Sequence, residues 1–334
     1  MFSKRLAIDL GTANSVVYLQ GEGIVLSEPT VVAVSVEDRK VLAVGEEAKE
    51  MLGRTPGNIM ASRPMRDGVI ADYMVTEAML RYFLRKVCGK SFLFKPEVLI
   101  CIPAGSTQVE KRAVEDAALS AGAKTVYTLH EPLAAAIGAG IEIAEASGNM
   151  ILDIGGGAAE AAVISLGSVV VHKSVRVAGN KVDDAIAFFA KKNHNLIIGE
   201  TTAEKVKIEI GSALKVKDDK EMLVKGRDSV SGLPRKIKVS TNEVVEAITP
   251  TLQQITGAVK GVLESVPPEL ASDIIDKGIM MTGGTSLLRN FDKLLTQETG
   301  VPCHVADEAI YCVAKGAGVV LERLEEYRRS LSRR

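Results

Sequence analysis

Tryptophan is absent from the sequence, cysteine and histidine are scarce at four residues each, and no apolar run is long enough to span a bilayer. Cys88, Cys101, Cys303 and Cys312 stand far apart with no Cys-x-x-Cys pair, and the histidines lack ligand spacing, so neither zinc nor a disulfide framework is expected. Cys303-His304 reads as a strand end rather than a metal site. Charge is balanced, with 41 basic and 42 acidic residues, so nothing calls for a nucleic-acid or acidic-polymer partner. The start does not read as a signal peptide, and a reducing cytoplasm is the expected compartment.

At 334 residues the chain is too long for one ordinary domain, and two domains with proper cores are the default. Glycine is plentiful, and it gathers where apolar strands end. In Met150-Ile151-Leu152-Asp153-Ile154-Gly155-Gly156-Gly157 an apolar run delivers a carboxylate and then three glycines before a second apolar run, Ala161 to Ser165. That pattern predicts a hairpin whose tip turns backbone N–H groups toward a common centre, suited to phosphate, with an acid suited to magnesium. The device occurs earlier as Leu6-Ala7-Ile8-Asp9-Leu10-Gly11-Thr12-Ala13-Asn14, followed by Ser15 to Leu19. Two copies suit one per domain, facing each other across a cleft. A third strand with a glycine pair, Ile279 to Thr282 and then Gly283-Gly284-Thr285-Ser286-Leu287, suits an anion or backbone contact with a nucleoside.

Around these loops lie an antiparallel meander through Val44, a helix capped by Asp72, and a capping box at Thr107 and Glu110 opening a helix to about Ser120. Glu131-Pro132 opens another helix, so Glu131 sits where a strand hands over to a helix. Its carboxylate could orient a water or simply favour the helix N-terminus. Glu204 and Lys207, one turn apart, read as a surface ion pair or as partners for a sugar and a base. Residues 215–240 read as a small exposed sheet, and a closing helix is expected over Ala309 to Tyr327. Phe92-Leu93-Phe94 sits at a loop tip in a chain with only seven phenylalanines. The residues by themselves favour a tip tucked under the neighbouring helix over an apolar finger for a membrane.

Five separated motifs resemble the MreB family, bacterial actins of the actin and chaperone ATPase superfamily. They are Asp9-Leu10-Gly11-Thr12-Ala13-Asn14, the run Arg63 to Asp72 (RPMRDGVIAD), Glu131 to Gly138 (EPLAAAIG), Glu204 to Gly211 (EKVKIEIG) and Gly232-Leu233-Pro234-Arg235. The resemblance implies an α/β fold of the actin-like ATPase type, with two ribonuclease-H-like halves and a nucleotide cleft between them. The halves would be residues 1–145, with a small subdomain at roughly 33–75, and 146–334, with one at roughly 181–243. It also implies ATP and magnesium in the cleft. Thr12, Ala13 and Asn14 would hold phosphates from the first half and Gly155, Gly156, Gly157 and Ala158 from the second. Glu204, Lys205, Val206 and Lys207 would face the ribose and base, and Gly283, Gly284, Thr285, Ser286 and Leu287 would close over the adenosine. Asp9 and Asp153 would hold the metal through its waters, and Glu131 would position the attacking water.

The family context reverses the reading of Phe92, Leu93 and Phe94, which become a membrane tip on the inner face of the cytoplasmic membrane. It implies a homopolymer of paired filaments, cell-wall elongation proteins as partners, and a role in cell shape. One departure matters: Ala158 and Ala159 stand where the family usually carries two threonines. Alanine keeps the backbone cradle and loses a hydroxyl, so binding survives while hydrolysis slows. The third loop reads Gly-Gly-Thr where three glycines are more usual. The rival readings are a nucleotide-loaded scaffold without turnover and a small-molecule kinase of the same superfamily.

Overall fold

The computed structural model describes residues 3–89 and 95–334. The chain opens with three antiparallel strands, β1 (Arg5–Leu10), β2 (Asn14–Leu19) and β3 (Gly23–Pro29). A small sheet follows, made of β4 (Val32–Ser35), β5 (Val41–Val44) and β6 (Ile59–Ser62), with helix α1 (Glu46–Glu50) between the last two. The ribbon β7 (Met65–Arg66) and β8 (Val69–Ile70) leads to α2 (Tyr73–Cys88), β9 (Glu97–Ile102), α3 (Gln108–Ala121), β10 (Thr125–His130) and α4 (Glu131–Gly138).

A second set then begins with β11 (Asn149–Ile154), β12 (Ala159–Ser165) and β13 (Ser168–Val175). Helix α5 (Gly179–His194), β14 (Leu196–Ile197), α6 (Glu200–Ile210), β15 (Glu221–Asp228) and β16 (Pro234–Ser240) form the smaller part, with the three strands in one sheet. The rest comprises α7 (Thr241–Leu263), α8 (Pro268–Lys277), β17 (Ile279–Thr282), α9 (Phe291–Thr299), β18 (Cys303–Val305), α10 (Cys312–Glu322) and β19 (Ser332–Arg333).

The two large sheets share one strand order. The first runs β3-β2-β1-β9-β10 and the second β13-β12-β11-β17-β18, each an antiparallel meander extended by two parallel strands. The repeat visible in two Asp-Gly loops thus extends to whole sheets, and the fold is the actin-like α/β type. Strands β1 and β11 are apolar along nearly their whole length because helices cover both faces. Helix α2 turns Val75, Met79, Leu80, Phe83 and Leu84 onto the first sheet, each worth about 1.5–3 kcal/mol when fully buried. Both expected caps are present: Asp72 accepts from the Val75 N–H at 3.1 Å, and Thr107 and Glu110 form the capping box of α3.

The last segment departs from the boundary drawn at 145/146. Helix α10 packs on α4 and β1, and β19 extends the first sheet at the β10 edge, so residues after about 312 belong with the first half. Glycines permit this crossing. A Cβ on Gly138 would stand 1.8 Å from the Cys312 carbonyl oxygen, and one on Gly316 would stand 1.8 Å from that of Ala134. The two helix backbones touch and form the floor between the halves, together with Ile151, Ala162 and Ile164 of the second sheet. The closing helix is shorter than expected at both ends: Glu308 takes a left-handed conformation (φ 49°) with only a 3-10 turn following at Ala309–Tyr311, and Arg323 leaves helical geometry (φ -122°, ψ 42°). Among the described residues no helix is long and apolar enough to cross a membrane.

Candidate functional site

A cleft of about 560 Å³ lies between the two hairpin tips, within the size range of small-ligand sites. Its two glycine loops meet directly. A Cβ on Gly156 would come within 2.6 Å of the Ala13 Cβ, and one on Gly157 within 2.3 Å of the Thr12 hydroxyl oxygen and 2.8 Å of the Gly68 nitrogen. Neither glycine has a positive φ, so the loops require glycine for close approach rather than for left-handed backbone. Thr12 accepts a hydrogen bond from the Gly68 N–H at 3.0 Å, which holds the β7–β8 turn against the same point.

The carbonyls of the second loop are held from behind. Gly155 O accepts from the Gly179 N–H (3.2 Å) and the Thr285 hydroxyl (2.7 Å), and Gly156 O accepts from the Asn180 N–H (2.8 Å). Among the described residues the Gly156 and Gly157 N–H groups have no protein acceptor. This leaves amide donors at the tip beside the N-terminus of the sixteen-residue α5, an arrangement suited to phosphate. Thr285 therefore ties the third loop to the second.

Carboxylates gather at the cleft floor. Burial and the facing Asp153 push Asp9 up to about 7, and burial raises Asp153 to about 6 against the opposing hydrogen bond donated by the Thr282 hydroxyl at 2.9 Å. Glu131 is pushed well above the carboxylate range by burial and then by Glu160, Asp9 and Asp153. Burial also lifts Glu160 to about 7, although its Oε2 accepts from the Ala104 N–H at 3.1 Å. Among the described residues no group of three or more His, Cys, Asp or Glu could hold a metal by itself. Two aspartates in a negative pocket instead fit a hard cation that keeps several waters, as magnesium does.

These shifts set a direction for stability. The raised acids bind protons more tightly folded than unfolded, so their contribution is complete below their unfolded values and disappears as pH rises through the folded values of about 6 to 7. Nucleotide-free protein is expected to melt at a lower temperature at about pH 8 than at about pH 5.5. Calorimetry across that window checks this; an equal or higher midpoint at the alkaline end contradicts it.

The cleft wall contains Asp9, Thr12, Ala13, Asn14, Glu131, Asp153, Gly155, Gly156, Gly157, Ala158, Glu204, Lys207, Gly283, Gly284, Thr285 and Leu287. Three expected residues lie off it. Lys205 pairs with Glu209 in solvent at 3.5 Å, Val206 is buried in the core, and Ser286 is buried and donates to Gly283 O at 2.6 Å. On α6, Glu204 and Lys207 lie three positions apart and share the face turned to the cleft, whereas Lys205 and Val206 between them point elsewhere. Ala158 faces the cleft, whereas Ala159 is buried in the core of the second half. Phe92, Leu93 and Phe94 lie outside the described residues.

Lys207 reaches the cleft already engaged, donating to Asp183 at 2.9 Å and to Gly179 O at 3.2 Å. Asn180, Lys220 and Arg289 line the cleft and were not singled out by sequence. The only local signal was at Asn180, which follows Gly179 at a helix start. Glu160 was likewise missed, although alternation along β12 places it two residues beyond Ala158.

Residues 3–329 match the MreB/Mbl protein family. The chain belongs to that family. The cell shape-determining protein MreB of Escherichia coli (strain K12) is 51% identical over 331 residues, covering 97% of this chain and 95% of that protein. Mbl, a cell shape-determining protein of Bacillus subtilis (strain 168), is 50% identical over 326 residues, covering 98% of each. The structure of MreB 5 of Spiroplasma citri bound to AMPPNP matches this fold with a TM-score of 0.93 at 36% identity, covering 98% of this chain and 99% of that one. The glycine loops and paired aspartates described above are thus found in an MreB/Mbl chain over nearly its full length.

Proposed function

We propose that this chain binds ATP between its two glycine loops, assembles into filaments, and serves as a cell-shape-determining cytoskeletal protein. The observation that carries this reading is the meeting of the two loops over Asp9 and Asp153, with loop carbonyls anchored behind and amides left toward the cleft. Thr12, Ala13 and Asn14 hold phosphates on one side and Gly155, Gly156, Gly157 and Ala158 on the other. Asp9 and Asp153 hold magnesium through its waters, and the metal, when bound, neutralises phosphate charge. Glu204 and Lys207 face the ribose and base, Gly284 to Leu287 border the adenosine, and Glu131 at the start of α4 orients the attacking water.

Assembly is head to tail through heterologous contacts that do not close. Filaments lie on the inner face of the cytoplasmic membrane through Phe92, Leu93 and Phe94 and work with cell-wall elongation proteins. A polymer presents many such tips, so modest insertion per subunit sums by avidity. With ATP and magnesium the purified protein is expected to scatter light and form filaments that pellet with anionic vesicles. A protein that stays monomeric under every nucleotide condition refutes assembly, and vesicle binding unchanged by serine at all three tip positions refutes the anchor.

Ala158 also favours a second reading, a nucleotide-loaded polymer with slow turnover, because no hydroxyl at that position faces the cleft.

A further inference from the structure

Away from the floor, the lips of the cleft are joined by charge. Arg63, just after β6, places Nε 2.5 Å from Glu200 Oε1, and Lys49 on α1 places Nζ 3.0 Å from Glu204 Oε2. Glu200 and Glu204 are one turn apart on α6 and so share the face turned to the first half. The Lys49–Glu204 pair is partly buried on both sides, at 26% and 22% exposed, whereas in the other pair Arg63 is 13% exposed and Glu200 48%.

Each end of this bridge reaches a glycine loop. Arg63 Nη1 donates to Ala13 O in the first loop at 3.3 Å. On the other side, Lys207 of α6 donates to Gly179 O, and the Gly179 N–H bonds Gly155 O in the second loop. Closing the lips and shaping the two loops are therefore mechanically joined through α6 and one arginine.

We propose that Arg63 and Glu200, backed by Lys49 and Glu204, form an ionic latch that sets how fast nucleotide leaves the cleft, with Arg63 acting as a positioning residue for the Ala13 loop. The proposal rests on the nucleotide reading above. The Arg63–Glu200 pair has one half-exposed partner and so weakens as salt rises, and either pair opens when one of its charges is reversed. Glu204 then has two duties, facing the cleft and holding Lys49, so a ligand hydroxyl that engages Glu204 weakens one arm of the latch.

The test is stopped-flow release of N-methylanthraniloyl-ADP from the full chain. Wild type is compared with Arg63→Glu, Glu200→Arg, the double swap carrying both, and the milder Glu200→Gln. Each single reversal is expected to speed release by about fivefold or more and Glu200→Gln by about two- to threefold, and the swap to recover part of the way to wild type, because a glutamate at position 63 restores the ion pair but cannot donate to Ala13 O. Raising salt is expected to speed release from wild type more than from Arg63→Glu. Equal release from wild type and Glu200→Gln, or a swap as fast as the single reversals, overturns the latch while leaving nucleotide binding intact. A wild-type chain that does not take up the probe overturns the nucleotide reading itself, and the latch with it.

Discussion

Glu131→Gln is expected to slow phosphate release by about 100-fold or more while nucleotide affinity stays within about threefold of wild type. Glutamine keeps the shape of the side chain and can still hydrogen-bond a water, but it cannot accept that water's proton. The position is set by the fold's tightest packing: Glu131 is the first residue of α4, and α4 is pinned to α10 where Gly138 and Gly316 allow backbone contact. Burial first, and then Glu160, Asp9 and Asp153, raise its carboxyl well above the usual carboxylate range. Single-turnover phosphate release alongside nucleotide titration separates the two effects; loss of affinity as large as the loss of rate would give Glu131 a binding role instead.

Ala158→Thr is expected to raise phosphate release by about ten- to a hundredfold. The estimate follows from restoring one hydrogen bond to an ionised group or its water, worth about 1.5–3 kcal/mol. Geometry narrows the claim to a single residue, since Ala158 lines the cleft and Ala159 is packed in the core. Ala159→Thr would bury a hydroxyl among apolar neighbours and therefore serves as the contrast, lowering stability without raising turnover. The new side chain at 158 must pass Gly68, where a Cβ would already lie 3.4 Å from the Ala158 Cβ. Phosphate release that does not change in Ala158→Thr, with folding intact, removes the account of slow turnover given above.

Much of the site is written locally. An apolar run, an aspartate and glycines specify a strand, its end and its tip within ten residues, so both Asp-Gly loops, the third loop and the start of α4 could be placed without coordinates. Caps behave the same way, because the bonds at Asp72 and Thr107 close within three residues. The two antiparallel hairpins follow from two copies of one local pattern, whereas the parallel strands that complete each sheet pair over long separations.

What only the tertiary structure decided involves residues far apart in the chain. Glu160 comes beside the Glu131 site because β12 faces the turn at Ala104, and Lys207 pairs with Asp183 across two helices. Arg63 meets Glu200 only when the two small subdomains face each other. Helix α10 and β19 return to the first half because Gly138 and Gly316 leave room for backbone contact, a complementarity of shape that no local periodicity encodes. The glycine loops could be read one at a time, whereas the ion pairs across the lips of the cleft and the acids at its floor depend on which surfaces meet, and burial and charge act there through space rather than along the chain.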